Sequence, residues 1–216
     1  NCFQSSVSTS IMQFYDALGI TRDVASRPDL DVYGLRPFLS CKYLFDYRGD
    51  GKSGSLNSFV DENGNTRMPG WKYLRTQNRF DIYRNEYYIP MGYTFDKFIA
   101  EEEFDLVTNA HKSEALLYAM VLPRDLMKKY SDITGYSDEK YKLLYGKHPE
   151  DYDSITEKFD YSNSDYKKVC NLRALNSCTS FEYTDNGFKA VYNNKKGDDN
   201  LLFFSVPYSD GFTDRK

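Results

Sequence analysis

The side chains with the clearest chemical potential are four carboxylates in one short stretch, Glu101, Glu102, Glu103 and Asp105. Two carboxylates that flank a sugar linkage act as acid and base in glycosidases. Consecutive residues on a helix, however, point in different directions, and negative charge is favoured in the first turn of a helix. We therefore interpret this run as the solvated start of a helix, and we expect no self-contained catalytic site in the chain.

Nucleophilic and metal sites find little support in the sequence. Only two histidines occur, His111 and His148, and nothing nearby completes a catalytic triad with either of them. The cysteines are Cys2, Cys41, Cys170 and Cys178. Their spacings fit no zinc template, and we predict neither a metal nor a cofactor. Their proximity in the sequence makes Cys170 and Cys178 a possible disulfide; the alternative is that they are small buried thiols.

A third pattern, Asp61, Asn63 and Asn65, resembles the start of a calcium loop. The glycine expected at the sixth position is Thr66, and the glutamate expected at the twelfth is Lys72. The Asn-Gly pair inside the stretch supplies the positive φ angles of a tight hairpin turn. The sequence therefore favours a turn over a cation site.

Aromatic side chains are the strongest remaining candidates, since the chain contains 20 Tyr and 15 Phe among 216 residues. An exposed ring can stack on the apolar face of a sugar while a phenol hydroxyl bonds to the sugar's edge. The candidates for such contacts are Trp71, Tyr73, Tyr87, Tyr88 and Tyr93. The alternative is that most of these rings fill the core or line a sheet, where aromatic residues are favoured.

The composition describes an acidic globular chain. The net charge is −4 and the sequence pI is about 5.3. Lys and Arg are scattered, so we exclude nucleic acid as a partner. No apolar run approaches the roughly 20 residues of a membrane span. Since the chain opens without an initiator Met or a signal-like segment, we expect it to be one domain, residues 1–216, of a larger protein.

Periodicity then predicts the elements that position these residues. Ile11, Phe14, Tyr15 and Leu18 follow helical spacing, with Gly19 placed to end the helix. A short helix is expected at 35–39, and strands are expected at 42–45, 56–60, 71–74, 80–83 and 87–89. The turn at 61–65 would join the strands on either side of it, 56–60 and 71–74, into a hairpin.

The second half is predicted to begin with helices. Residues 94–145 have mainly helical spacing, with Pro123 placed to open one helix and another expected at 139–144. A polar surface connection at 136–161 leads to a last helix at 164–176. Strands at 179–183, 188–192 and 201–206 would form an antiparallel meander. The fold class is therefore α+β, with helices packed on a mixed or antiparallel sheet, and with subregions at 1–135 and 136–216.

Several segments carry a family resemblance when taken in order. They are Ser5-Ser6 with Phe14-Tyr15-Asp16-Ala17-Leu18-Gly19-Ile20, Leu39-Ser40-Cys41-Lys42-Tyr43-Leu44, Asn85 through Pro90-Met91-Gly92-Tyr93, Asn186-Gly187-Phe188, and Phe204-Ser205-Val206-Pro207-Tyr208 with Gly211-Phe212. Together they resemble the extracytoplasmic part of the YfhO-like family of bacterial multi-pass membrane proteins. The chain departs from that family at Gly211-Phe212, where the family usually has Gly-Trp.

The resemblance implies a parent protein with many transmembrane helices that transfers a sugar from a polyprenyl-phosphate donor to a cell-envelope polymer such as teichoic acid. This chain would be its accessory domain at the extracytoplasmic face of the bacterial membrane. Its partners would be the transmembrane part of the parent and a cell-envelope glycopolymer or lipid-linked sugar. No catalytic residue carries over to this numbering. The alternative is a stand-alone module that binds carbohydrate or protein without catalysis.

Overall fold

The computed structural model describes residues 9–21, 28–48, 59–137, 163–193 and 201–207. The helices in these residues are α1 Thr9–Ala17, α2 Leu35–Phe38, α3 Glu101–Leu106, α4 Lys112–Tyr118, α5 Arg124–Lys129, α6 Ser131–Thr134 and α7 Asn163–Leu175. The strands are β1 Tyr43–Tyr47, β2 Trp71–Gln77, β3 Phe80–Asn85, β4 Tyr93–Phe95, β5 Phe98–Ala100, β6 Met120–Leu122, β7 Ser180–Thr184, β8 Gly187–Val191 and β9 Leu201–Phe203. The mixture confirms the predicted α+β class.

The described strands form four small sheets. The largest is antiparallel with the order β1-β3-β2, and β4-β9 and β7-β8 are antiparallel pairs. The remaining pair, β5-β6, is parallel. Among the described residues, none of the helices is both long and apolar enough to cross a bilayer.

Helix α1 forms where the periodicity predicted it. Gly19 follows its end with a φ of +67°, a left-handed conformation that glycine adopts without a steric cost. The amide of Ile20 donates to the carbonyl of Tyr15 at 2.9 Å, which closes the helix end. On the inner side, the ring of Phe14 stacks on Phe38 with centroids 6.0 Å apart. Helix α1 is thereby packed against α2.

The main core lies between α2, α4, α7 and the β4-β9 pair. Tyr93 is fully buried, and its hydroxyl donates to the carbonyl of Phe38 at 2.9 Å. Phe203 of β9 contacts the rings of Phe38, Tyr93 and Phe95 with centroid distances of 4.8, 5.4 and 6.1 Å. The core therefore joins segments that are about 160 residues apart in the chain.

Arg173 on α7 is a buried cation inside this core, with 3% of its surface exposed. Its guanidinium donates to the carbonyls of Leu117, Tyr118 and Thr94 and to a carboxylate oxygen of Asp96. The same group lies 4.3 Å from the centroid of the Phe95 ring. A guanidinium supplies five donors in a fixed plane, so one side chain satisfies carbonyls from both α4 and β4.

Two predicted strand assignments are corrected by the structure. Strand β2 pairs with β3, through a two-residue turn in which Asn78 and Arg79 have positive φ angles, as in the preferred hairpin turns. The turn at 61–65 instead closes a short loop through a bridge between Val60 and Thr66, and residues 56–58 lie outside the described part. Residues 87–89 are not a strand, because the Asn85 side chain accepts the amide of Tyr87 and turns the chain.

The region 94–145 is less helical than predicted. Phe98 and Met120 pair with each other in the parallel strands β5 and β6. Short apolar runs cannot be assigned to helix or strand by periodicity alone, and here the pairing leaves Ile99 and Ala100 buried. Pro123 precedes α5 as predicted. The helix expected at 139–144, and most of the connection at 136–161, lie outside the described residues.

The predicted C-terminal meander is a hairpin with a displaced third strand. Helix α7 and the β7-β8 hairpin occur where they were expected. Strand β9 pairs with β4 instead of β8, because the half-buried Phe203 packs against the aromatic rings of the main core. Helix α7 also contacts α4 and β4, so the two predicted subregions pack against each other.

Candidate functional site

Strand β1 presents three aromatic rings to solvent. Its sequence alternates, and successive side chains of a strand point to opposite faces of the sheet. Tyr43, Phe45 and Tyr47 are 46%, 57% and 48% exposed. Leu44 and Asp46, which lie between them, are half-buried on the other face, where Leu44 packs against a small core. The strand therefore has one covered and one open side.

The neighbouring strand extends the open side. Directly opposite residues of an antiparallel pair share a face, and Tyr47 pairs with Phe80 while Phe45 pairs with Ile82. The Phe80 ring lies 5.3 Å from Tyr47 and 6.4 Å from Phe45, measured between centroids. Tyr43, Phe45, Tyr47 and Phe80 are called the aromatic face below.

The aromatic face is bordered by positive charge. By register, Arg84 lies opposite both Tyr43 and Lys72, and Arg75 lies opposite Ile82. All three cationic residues are exposed. No Asp or Glu occupies a register position on this face of β1, β2 or β3. In a chain of net charge −4, this side of the sheet is locally cationic.

The acids of the same strands lie on the opposite face. Asp46 accepts the amide of Phe59 at 3.1 Å, and Asp81 accepts the Arg48 guanidinium at 2.7 Å and the Thr76 hydroxyl. Burial raises the pKa of Asp81, but the two hydrogen bonds and the Arg48 charge outweigh it, so the pKa is lowered overall. The acids of β1 and β3 therefore lie on the face opposite the aromatic face.

Two of the predicted sugar-stacking residues are core residues. Trp71 is 7% exposed and packs edge-on against Phe59, with centroids 5.7 Å apart. Tyr93 is buried in the main core, and burial raises the pKa of its hydroxyl well above the usual value. Neither ring is available at the surface, because helices or loops from distant parts of the chain cover both.

The other three predicted residues are scattered. Tyr73 is 49% exposed but lies on the face opposite the aromatic face, with its hydroxyl 2.8 Å from that of Thr76. Tyr87 is half-buried, with its ring edge-on to Tyr166. Tyr88 is also half-buried, and its centroid lies 5.3 Å from the Lys42 ammonium. The five predicted residues therefore do not form one site.

The carboxylate run does not converge on a pocket. Glu101 and Glu102 are exposed in the first turn of α3, whereas Glu103 is 7% exposed. Glu102 lies 3.3 Å from Arg124 in a surface ion pair. The acids point in different directions, as helical spacing predicted. Their structural role is to place negative charge at the start of α3, where it is favourable.

The Asp61 turn uses its carboxylate internally. Asp61 accepts the amides of Asn63 and Asn65 at 2.9 and 2.8 Å and the Asn65 side-chain amide at 3.3 Å. The hydrogen bond from the Asn65 amide is the main cause of a lowered pKa at Asp61. This geometry confirms the predicted turn. Within the described residues, no group of three or more His, Cys, Asp or Glu could hold a metal ion.

A buried carboxyl lies elsewhere, in the middle of the core. Glu114 on α4 is 1% exposed and accepts the Ser113 hydroxyl at 2.8 Å. Burial raises its pKa, although hydrogen bonds from Ser113 and Tyr33 and the nearby His111 oppose the rise. The group lies under α2 and α7 rather than in an open cleft. We assign it to the interior of the fold.

The two cysteines proposed as a disulfide are free thiols. Cys170 is buried beside Tyr166, and burial raises the pKa of its thiol to about 12. The sulfur of Cys178 instead lies against Gly92, and a Cβ added to Gly92 would be only 2.6 Å from this sulfur. The thiols occupy different environments, so the alternative of buried cysteines describes both. Cys2 lies outside the described residues.

The aromatic face was not among the predicted candidate sites, although its pattern is visible in the sequence. Three aromatic residues at every second position, Tyr43, Phe45 and Tyr47, must share one face of a strand. Which face is covered depends on Phe59 and Met68, which pack on the other side from a different segment. Comparisons with protein-family models, curated proteins and solved structures found no match for this chain. The YfhO-like resemblance therefore remains a hypothesis.

Proposed function

We propose that this chain is an extracytoplasmic accessory domain that holds a cell-envelope polymer on the aromatic face. Catalysis would belong to the membrane part of a parent glycosyltransferase, as the YfhO-like resemblance implies. The observation that supports binding is the exposure of Tyr43, Phe45 and Tyr47 along a single strand. Rings of this size in water are candidates for contact, because burying them against a partner is favourable.

The spacing of the rings suits a linear ligand. Alternate residues of a strand are about 6.6 to 6.8 Å apart, so the row from Tyr43 to Tyr47 is about 13 Å long. Such a row presents successive flat surfaces in one direction, which suits consecutive sugar rings. The flat side of each aromatic ring carries partial negative charge and attracts polarised C–H groups of a sugar.

The bordering cations add a preference for anionic polymers. Lys72, Arg75 and Arg84 lie on the same face as the rings, and the nearby acids Asp46 and Asp81 lie on the other. Phosphate or carboxylate groups along a polymer would meet arginine guanidinium groups, each of which can donate two parallel hydrogen bonds to one such group. Binding of this kind weakens as salt is added, because the charges are exposed.

The test is affinity electrophoresis of the full chain in native gels that contain teichoic acid purified from Gram-positive cell walls. We expect retardation with a Kd between about 10 µM and 1 mM, the range of a small, exposed site. Tyr47→Ala and Phe45→Ala should each weaken binding about tenfold. Their matched control is Tyr183→Ala, which removes a ring that is 68% exposed on β7, away from the aromatic face.

Equal losses for Tyr47→Ala and Tyr183→Ala would show that binding is unspecific and would contradict the proposal. Retardation by the neutral polymer dextran, equal to that by teichoic acid, would contradict the role of Lys72, Arg75 and Arg84. No retardation by either polymer would reject the aromatic face as a glycan site.

A second candidate, a stand-alone binding module, is favoured by the same exposed rings and differs only in its parent. An immunoblot of membrane and soluble fractions of the source cells, with an antibody against this chain, separates the two. A membrane-confined band far larger than 25.2 kDa supports the accessory domain. A small band in the soluble or secreted fraction supports the module and overturns the membrane parent.

A further inference from the structure

An apolar cavity of about 400 Å³ lies at a second place, between α1, the end of α2 and the segment that follows β9. Its apolar lining includes Ile11, Phe14, Phe38, Leu39, Phe203 and Val206. These residues come from three segments that are distant in the sequence, and they share no member with the aromatic face. The volume is within the roughly 300 to 1,000 Å³ that is usual for small-molecule sites.

One wall of the cavity is a set of packed rings. Phe14 stacks on Phe38 with centroids 6.0 Å apart, and Phe38 contacts Phe203 at 4.8 Å. Phe38 is 5% exposed and belongs to the main core, so this wall is fixed by the fold. Leu39, by contrast, is 37% exposed and lines the same cavity. The cavity is therefore anchored in the core and reaches the surface.

The chemistry of the lining limits the ligand. None of the described lining residues is charged, and the polar ones are Ser10, Tyr15 and Ser205. The Ser205 hydroxyl lies 2.9 Å from the sulfur of Met91, so it already has a partner. An ion would lose its hydration in this cavity without compensation. A hydrocarbon, in contrast, gains free energy for every methylene that leaves water.

We propose that this cavity binds a single hydrocarbon chain of a lipid and leaves the lipid's head group in solvent. A methylene occupies roughly the volume of one liquid water molecule, about 30 Å³. The cavity therefore accommodates a chain of about a dozen carbons. The lipid can be a membrane lipid or a lipid-linked sugar, since both present the same alkyl chain.

The experiment is a calorimetric titration of the full chain with straight-chain alcohols of six, eight, ten, twelve and fourteen carbons. The affinity should rise about fourfold for each added methylene, which corresponds to about 0.8 kcal/mol. The rise should flatten near twelve carbons, when the cavity is full. An affinity that does not depend on chain length, or no binding at any length, would overturn the proposal.

Two leucines provide a matched pair of variants. Leu39 and Leu202 are 37% and 38% exposed, but only Leu39 lines the cavity. Leu39→Trp should fill part of the cavity and weaken dodecanol binding at least tenfold, whereas Leu202→Trp should change it less than twofold. Equal effects of the two variants would assign the binding to general surface hydrophobicity and would contradict the site.

Two further arms identify the source of the chain and separate this site from the glycan site. Flotation with phosphatidylglycerol vesicles tests a membrane lipid, and titration with monomeric dodecyl maltoside tests a chain attached to a sugar. If Leu39→Trp weakens binding to the vesicles or to dodecyl maltoside, the cavity is supported. If it weakens neither, the proposal is overturned. Phe45→Ala should leave dodecanol binding unchanged, so a failure of the aromatic face and a failure of the cavity are distinguishable.

Discussion

The main core and the three-stranded sheet use the same residue type in opposite ways. In the core, Tyr93 is fully buried, and its hydroxyl is bonded to the carbonyl of Phe38. On the sheet, Tyr43 and Tyr47 leave almost half of their surface in water. The difference is made by coverage from distant segments, since β9 closes over Tyr93 and no described residue closes over the open face of β1 to the same degree. Tyrosine content alone therefore indicates neither a core nor a site.

The two regions also treat charge differently. In the core, the buried guanidinium of Arg173 donates to backbone carbonyls of β4 and α4. The open side of the sheet carries Lys72, Arg75 and Arg84 in water, where their charges cost little. Substitutions should therefore change stability strongly in the first region and ligand binding in the second.

The largest effect is expected for Arg173→Met. The change keeps an apolar stem but leaves three carbonyls without their donor, so the free energy of unfolding should fall by about 3–5 kcal/mol. Urea denaturation followed by circular dichroism measures it. Lys168→Met on the same helix, at a side chain that is 72% exposed, is the control and should change it by less than about 0.5 kcal/mol. Similar values for the two variants would contradict the buried role of Arg173.

The next effect separates buried from exposed tyrosine hydroxyls. Tyr93→Phe removes the donor to the Phe38 carbonyl and should lower the free energy of unfolding by about 1–2 kcal/mol. Tyr73→Phe removes an exposed hydroxyl that bonds to Thr76 and should cost less than about 0.5 kcal/mol. Both changes in the free energy of unfolding are measured from the midpoints of urea denaturation, provided that the m values of the variants are equal. An unchanged free energy of unfolding for Tyr93→Phe would show that the hydrogen bond from Tyr93 to the Phe38 carbonyl does not stabilise the fold.

A smaller effect is expected from the pH dependence of the core. Burial raises the folded-state pKa of Glu114 above 4.5, so the folded state holds this proton more tightly than the unfolded state. Its contribution to stability is complete below pH 4.5 and declines as the pH rises through the folded pKa. Glu114→Gln should remove that decline, which a difference between the two urea-stability profiles from pH 4 to pH 8 would show. Parallel profiles would contradict it.

The smallest effect on stability is expected on the aromatic face. Phe45→Ala removes a ring that is 57% exposed, so the free energy of unfolding should change by no more than about 0.5 kcal/mol. Phe95→Ala, which removes a ring that is 1% exposed, is the contrasting control and should cost about 3–5 kcal/mol. A large loss for Phe45→Ala would mean that the face is covered in solution, which thermal unfolding at two protein concentrations would also reveal.

Local patterns predicted much of the fold. Helix α1 follows helical spacing, and helix α7 and the β7-β8 hairpin, which turns at Asp185 and Asn186, lie where the sequence predicted them. The pairing of β9 with β4 could not be predicted, because it depends on the fit of Phe203 among rings from distant segments. The parallel pair β5-β6 was also missed, since three-residue apolar runs carry no distinct period.

The candidate site was predictable in chemistry and only partly in position. Exposed aromatic rings were the predicted kind of candidate site, and the alternation at 43–47 marks a strand face that carries three of them. Trp71 and Tyr93 were candidates for surface contacts, and the stated alternative, that such rings fill the core, holds for both. Burial depends on which segments cover a residue, and local sequence patterns do not predict contacts between distant segments.

The position of Phe203 sets the order in which the protein folds during synthesis. Its ring contacts Phe38, Tyr93 and Phe95, so the apolar cluster at the centre of the molecule closes only after residue 203 has left the ribosome. At about 5–20 residues per second, the roughly 110 residues between Phe95 and Phe203 take about 5 to 20 seconds to make. For that time the growing chain carries an incomplete apolar cluster, and exposed apolar surface of this kind favours aggregation until β9 has been made.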